Sequence, residues 1–172
     1  VYQSRLEPWS HWISGTQGLS PGYDPLAYCI QQAHARGIEV HAWFNPFRAL
    51  PNSKIPTARN HVVKTHPSVI RDFKNYKWMD PSNAFTQQRA LSVILDVVNR
   101  YDVDGIHIDD YFYPYPDVDS QGRAKPIFPD GKTPAARRAA SDGFVKAMYS
   151  KVKAKKPWVR VGISPFGIWR PG

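Results

Sequence analysis

Apolar positions along the chain follow two rhythms. Short β-rich runs occur at Gly37–Phe44, Val103–Asp109 and Val159–Ser164, and each opens into a loop rich in Pro, Gly and aromatic residues. Before each run the apolar positions recur every three or four residues, the spacing of one helix face. The first such stretch predicts a helix over Pro25–Arg36, with Asp24 as N-cap, Leu26, Ile30 and Ala33 on one face, and Gly37 as a left-handed residue just past its end. Cys29 is expected inside that helix as buried packing. A second helix follows Ser82 or Asn83 and runs to Tyr101, carried by Ala90, Leu91, Ile94, Leu95, Val97 and Val98. A weaker helical stretch is read around Val69 to Tyr76. The last helix spans Ala135–Lys155, with Phe144, Met148 and Val152 four apart, and Pro157 stops it.

Helix and strand thus alternate, with connections too long for hairpins, which predicts a parallel sheet joined by right-handed crossovers. Two architectures have this order: an open doubly wound sheet and a closed (β/α)8 TIM barrel. The dinucleotide fingerprint and the phosphate-cradling Gly-rich loop that mark the open form are both missing from the sequence. The α/β class expected is therefore the barrel, which typically needs about 250 residues. Three strands make only part of one, so the chain is expected to carry roughly strands three to five. Residues 1–172 are read as the central part of one catalytic domain, cut at both ends, since the sequence opens on Val1 and closes on Arg170-Pro171-Gly172.

At 42% hydrophobic and 13% aromatic, the chain has the material for a sizeable core and is not of the disordered class. No run approaches the ~18 apolar residues of a membrane-crossing helix, and the N-terminus lacks the order of a signal peptide. The single Cys29 forms no internal disulfide and does not discriminate between compartments. Lys and Arg number 23 against 14 Asp and Glu, a formal charge of +9 that favours approach of polyanions. The basic residues are spread out, however, and densest at Lys151–Lys156, a helix end where cations suit the dipole. No nucleic-acid-binding signature accompanies them, so a solvated surface is expected and no nucleic-acid partner.

In a barrel the reacting groups stand where strands run into their following loops. Period-two alternation puts His41, Trp43 and Asn45 on one face of the first run, Gly105, His107 and Asp109 on one face of the second, and Ser164, with Phe166 beyond it, on the third. Val40, Ala42, Ile106 and Ile108 fall on the other face and suit packing under helices. A carboxylate at a strand end, next to an inward His and ahead of aromatic residues, suits an oxocarbenium-like transition state, and such chemistry needs two carboxyl groups. Asp109 and Asp110 are the catalytic candidates, Asp110 having a cap or ion-pair role as its other reading. A metal site is not expected: neighbouring strand side chains diverge and no second His-x-Asp pair supports them. No cofactor is expected either. Trp43, Tyr111, Phe112, Tyr113 and Tyr115 offer faces for sugar rings or, alternatively, prop the long loop that ends at Thr133. Arg48 is placed to reach an anionic group or to buttress Asp109, while Glu7 and Asp80 are read as turn or cap residues ahead of catalysis.

The segments Pro21–Leu26, Ala33–Gly37, His41–Arg48, Val103–Tyr113 and Gly162–Arg170 together resemble a bacterial family of glycosyl-hydrolase-like proteins, family ten, in that family's order and over nearly the whole chain. The resemblance implies a TIM barrel hydrolysing O-glycosidic bonds in a cell-envelope glycan such as peptidoglycan strands. It places the fourth-strand nucleophile on Asp109; in the hydrolase reading His41, Trp43, Asn45, Arg48, His107, Tyr111 and Tyr113 are then expected to line the sugar site. It also implies an envelope location, with membrane attachment through a lipid anchor outside this segment. The second carboxyl group of such barrels comes from a later strand, and no Glu follows Glu39 here. A glycan-binding module on the same barrel, without chemistry, is the alternative reading.

Overall fold

The computed structural model describes residues 1–125 and 127–165. The elements run α1 (His11–Ser14), α2 (Pro25–His34), β1 (His41–Phe44), β2 (Arg48–Leu50), α3 (Val62–Thr65), a 3-10 turn (Pro67–Val69), β3 (Ile70–Phe73), β4 (Tyr76–Met79), α4 (Ala84–Arg100), β5 (Gly105–Asp109), β6 (Asp117–Val118), β7 (Ala124–Lys125), α5 (Pro134–Lys155) and β8 (Arg160–Ser164). Strands β1, β5 and β8 form a parallel sheet in that order, so β5 is central. Helix α4 lies in the connection from β1 to β5 and α5 in that from β5 to β8, the βα alternation the sequence predicts.

Each helix begins where a side chain accepts its first free N–H groups. Asp24 accepts from Leu26 and Ala27, Asn83 from Phe85 and Thr86, and Thr133 from Ala136. Helix α2 ends two residues before Arg36, and Gly37, at φ 69°, reverses the chain into the approach to β1. The core lies on one side of the parallel sheet. Ile106 and Ile108 of β5 are fully buried there, against Leu91, Ile94, Val97 and Val98 of α4 and Phe144, Met148 and Val152 of α5. Burying a side chain of this kind is worth about 1.5–3 kcal/mol, so this layer dominates the hydrophobic stabilisation. The opposite face, with His41, Trp43, His107 and Ser164, is open or half-open.

Two expectations are corrected. Val69 to Tyr76 is not an α-helix: Val69 ends the 3-10 turn, β3 and β4 form an antiparallel hairpin, turning at Lys74 with φ 53°, and β2 joins β4 to complete a second, three-stranded sheet. Val69, Phe73 and Tyr76 have helix-like spacing, but pairing of β3 with β4 across the turn gives this short stretch backbone partners without needing a continuous apolar stripe. Cys29 is exposed, not buried, because Ile30 is the residue α2 commits fully to the core while Cys29 flanks a groove beside β1. Phe166 and the end of the Gly162–Arg170 segment lie outside the described residues.

Candidate active site

The parallel register sets the site. Trp43 pairs with His107 and His107 with Gly162, and one step further along, Asp109 pairs with Ser164. Bulky and null side chains alternate across neighbouring strands. A Cβ on Gly105 would come within 2.6 Å of the His41 ring, and one on Gly162 within 2.9 Å of His107 Nδ1. Each imidazole therefore lies over the backbone of the next strand, which only glycine permits at that distance. His107 Nε2 and Ser164 Oγ share a hydrogen bond of 2.9 Å, linking the second and third strands on the open face.

Asp109 closes β5 half-buried, and its Oδ1 accepts the backbone N–H of Tyr111 at 3.0 Å. This turn fixes the carboxylate against the start of its own loop. Asp110 diverges from it and accepts the Tyr115 hydroxyl. Burial, and then that carboxylate, push the Tyr115 hydroxyl up to about 12. The loop that follows β5 is braced from the hairpin sheet: fully buried Trp78 donates its indole N–H to the Phe112 carbonyl at 3.0 Å and sets its edge against the Tyr111 ring at 5.0 Å. Arg48, paired with Trp78 across β2 and β4, holds its guanidinium 5.6 Å from the Tyr111 ring centroid. Sequence reasoning passed over Trp78, although a Trp alternating with Tyr76 in an apolar stretch signals an indole that needs a buried acceptor.

The structure thus brings His41, Trp43, His107 and Asp109 to one open face, with Tyr111 and Arg48 at its rim. Trp43 is 60% exposed, which leaves its ring face available for stacking. Asn45 does not join them. Both of its amide atoms are buried without a partner among the described residues, beside a cavity of about 190 Å3 lined by Glu7, His61 and Arg89. The Tyr113 ring packs edge-on against Phe128 and under Arg137, and burial first, then Asp130 and Asp80, pushes its hydroxyl up to about 12. Phe112 sits between Phe47 and Phe144 as core packing. Glu7 pairs with Arg89 at 2.8 Å; burial raises its carboxyl and Arg89 opposes the rise. Asp80 is buried, caps Ser82 and pairs with Arg71 at 3.3 Å. Among the described residues no three His, Cys, Asp or Glu side chains converge as metal ligands would.

The opposite, N-terminal end of the strands is anchored by a residue that the sequence did not single out. Asp104 Oδ2 accepts from the Val40 N–H at 2.7 Å and from His34 Nε2 at 2.9 Å, tying α2, β1 and β5 together. Those two bonds, Val40 first, hold the Asp104 carboxyl below the usual carboxylate range.

The chain as a whole is similar to known proteins. The chain is 37% identical to the glycosyl hydrolase YngK of Bacillus subtilis over 185 residues, covering 98% of this chain and 35% of that protein. It is 34% identical to the glycosyl hydrolase DigH of Escherichia coli K12 over 184 residues, covering 99% of this chain and 42% of that protein. The chain therefore spans less than half the length of these relatives. Among solved structures it superposes on the galactosidase domain of AgaSK with a TM-score of 0.52 at 15% identity, covering 82% of this chain and 18% of that one. The α-galactosidase AgaA of Geobacillus stearothermophilus, solved with stachyose, gives a TM-score of 0.51 at 14% identity, covering 81% and 19%. These neighbours are (β/α)8 barrel domains of glycoside hydrolases, and at such identity the likeness is one of fold. The model for the family Glycosyl hydrolase-like 10 matches residues 1–171, and the chain belongs to that family.

Proposed function

We propose that the protein to which this chain belongs is a glycoside hydrolase cleaving O-glycosidic bonds in a bacterial cell-envelope polysaccharide, namely peptidoglycan glycan strands. In this reading β1, β5 and β8 are the third, fourth and fifth strands of one catalytic (β/α)8 barrel. The observation that carries it is the position of Asp109. It ends the central strand of a parallel sheet, on the face that bears His107 and the exposed ring of Trp43, where barrel enzymes assemble their chemistry.

Asp109 then acts as nucleophile or as stabiliser of the oxocarbenium-like transition state, and His107 and Asp110 handle protons or orient it. Its partner carboxyl group comes from another part of the protein. His41, Trp43, Arg48 and Tyr111 bind the sugar, and no cofactor takes part. An envelope location, with attachment through a lipid anchor outside this segment, belongs to the same reading.

The test is mass-spectrometric analysis of purified glycan strands incubated with the full-length protein and with its Asp109→Asn variant. Muro-oligosaccharide release that falls by ~10²-fold or more in the variant is the expected result. Binding by both proteins with product from neither would overturn it in favour of a glycan-binding module.

A further inference from the structure

The loop from β5 to α5 encloses a groove of about 660 Å3 that begins at Asp110, the residue after the candidate catalytic carboxylate. That volume falls within the ~300–1,000 Å3 of small-ligand sites. The walls are mainly aromatic and proline, with Tyr113, Tyr115 and Phe128 among them. Such surfaces pack against the C–H faces of sugar rings while hydroxyl groups stay solvated.

The charges along the groove are not equivalent. Arg137 gives Nε to both oxygens of Asp130, at 3.0 and 3.2 Å, and Nη2 to the Phe128 carbonyl at 2.9 Å. The Asp130 side chain is fully buried, so this pair is internal structure and leaves no cation for a ligand. Asp110 also lines the groove, and its carboxylate accepts the Tyr115 hydroxyl. Lys132 is exposed, borders the groove and has no ion pair among the described residues; only its backbone N–H is committed, to Asp130 Oδ1 at 3.0 Å. Among the described residues, a ligand in this groove therefore meets one cation without an ion pair, Lys132, and one carboxylate, Asp110.

We propose that the groove is a subsite for a sugar unit bearing a carboxylate, seated with its acid toward Lys132 and away from Asp110. The inference rests on the glycan-hydrolase reading above and adds the charge and the orientation of the bound unit. A neutral sugar makes no use of Lys132, and a cationic group would be drawn to Asp110 instead.

The experiment uses the full-length protein with Asp109→Asn, to prevent turnover, and titrates it by calorimetry. The probes are an N-acetylglucosamine–N-acetylmuramic acid tetrasaccharide and the same compound with its carboxyl groups reduced to alcohols. The acid form should bind about two- to five-fold more tightly, the scale of one exposed ion pair, and the preference should weaken as salt rises. Lys132→Met should erase the preference and leave the reduced compound's affinity unchanged, and Lys132→Arg should keep it. Equal affinity for the two compounds, a preference that survives Lys132→Met, or no binding of either overturns the subsite. Product release by the unsubstituted protein is read separately. Release without a charge preference sinks the subsite alone, and a preference without release sinks the hydrolase alone.

Discussion

The imidazole of His107 lies over the α-carbon of Gly162, so close that a methyl group there would stand 2.9 Å from Nδ1. The same imidazole bonds Ser164 Oγ at 2.9 Å, so the space left by the glycine sets where the ring sits beside Asp109.

Gly162→Ala should therefore act on the site more than on the fold. The half-exposed ring has room to give way, so the stability cost should stay near 1 kcal/mol, the low end for overpacking. Displacing a site residue by a fraction of an ångström to an ångström costs far more in rate, about ten-fold or greater. Thermal melts beside turnover of the full-length protein check this; a large drop in melting temperature with unchanged turnover per folded molecule would refute it.

Trp78→Phe removes the indole N–H that satisfies the Phe112 carbonyl and keeps most of the aromatic bulk. Leaving a part-buried carbonyl such as this one without its donor should cost about 1 kcal/mol, the low end for an unsatisfied buried group. Because the loop it braces carries Asp110 and Tyr111, turnover should fall together with urea stability, and Trp78→Ala should lose more, about 3–5 kcal/mol. If Trp78→Phe unfolds at the same urea concentration as the parent, the brace is not a determinant of this loop.

Asp104→Asn tests the anchor at the other end of the sheet. The folded carboxyl is held below its ordinary 3.8 by the Val40 N–H and by His34. A depressed acid stabilises fully above its unfolded value, and that contribution is lost as pH falls through the folded one. The variant should be about 1–2 kcal/mol less stable near pH 7. The gap should close below about pH 4, as the parent's own carboxylate becomes protonated. Urea unfolding at stepped pH measures it, and a gap that persists at about pH 2 would count against the assignment.

Much of this was legible in the residues. The strands at His41–Phe44, Gly105–Asp109 and Arg160–Ser164 and the helices between them follow from periodicity, because the apolar positions of the helices recur over several turns. The hairpin was not, because Ile70–Met79 is short and its apolar residues satisfy a helical template as well as a strand template. Lys74-Asn75 flanked by Phe73 and Tyr76 was the turn signal that could have decided it. Alternation placed His41, Trp43, His107 and Asp109 on one face but overextended to Asn45, where the chain leaves β1 and the amide becomes buried beside Glu7 and Arg89. The Trp78 brace and the Asp104 anchor join residues 34 and 64 positions apart, and no local pattern encodes such pairings.

The hydrogen bond from Trp78 to Phe112 also sets the unit in which this region can be exchanged between relatives. The excursion between β1 and α4 and the one between β5 and α5 are separate in sequence yet share a bonded seam. A chimaera that imports one without the other leaves an indole lacking its acceptor or a carbonyl lacking its donor. The two are best transplanted as a pair, and natural variation at one should track variation at the other.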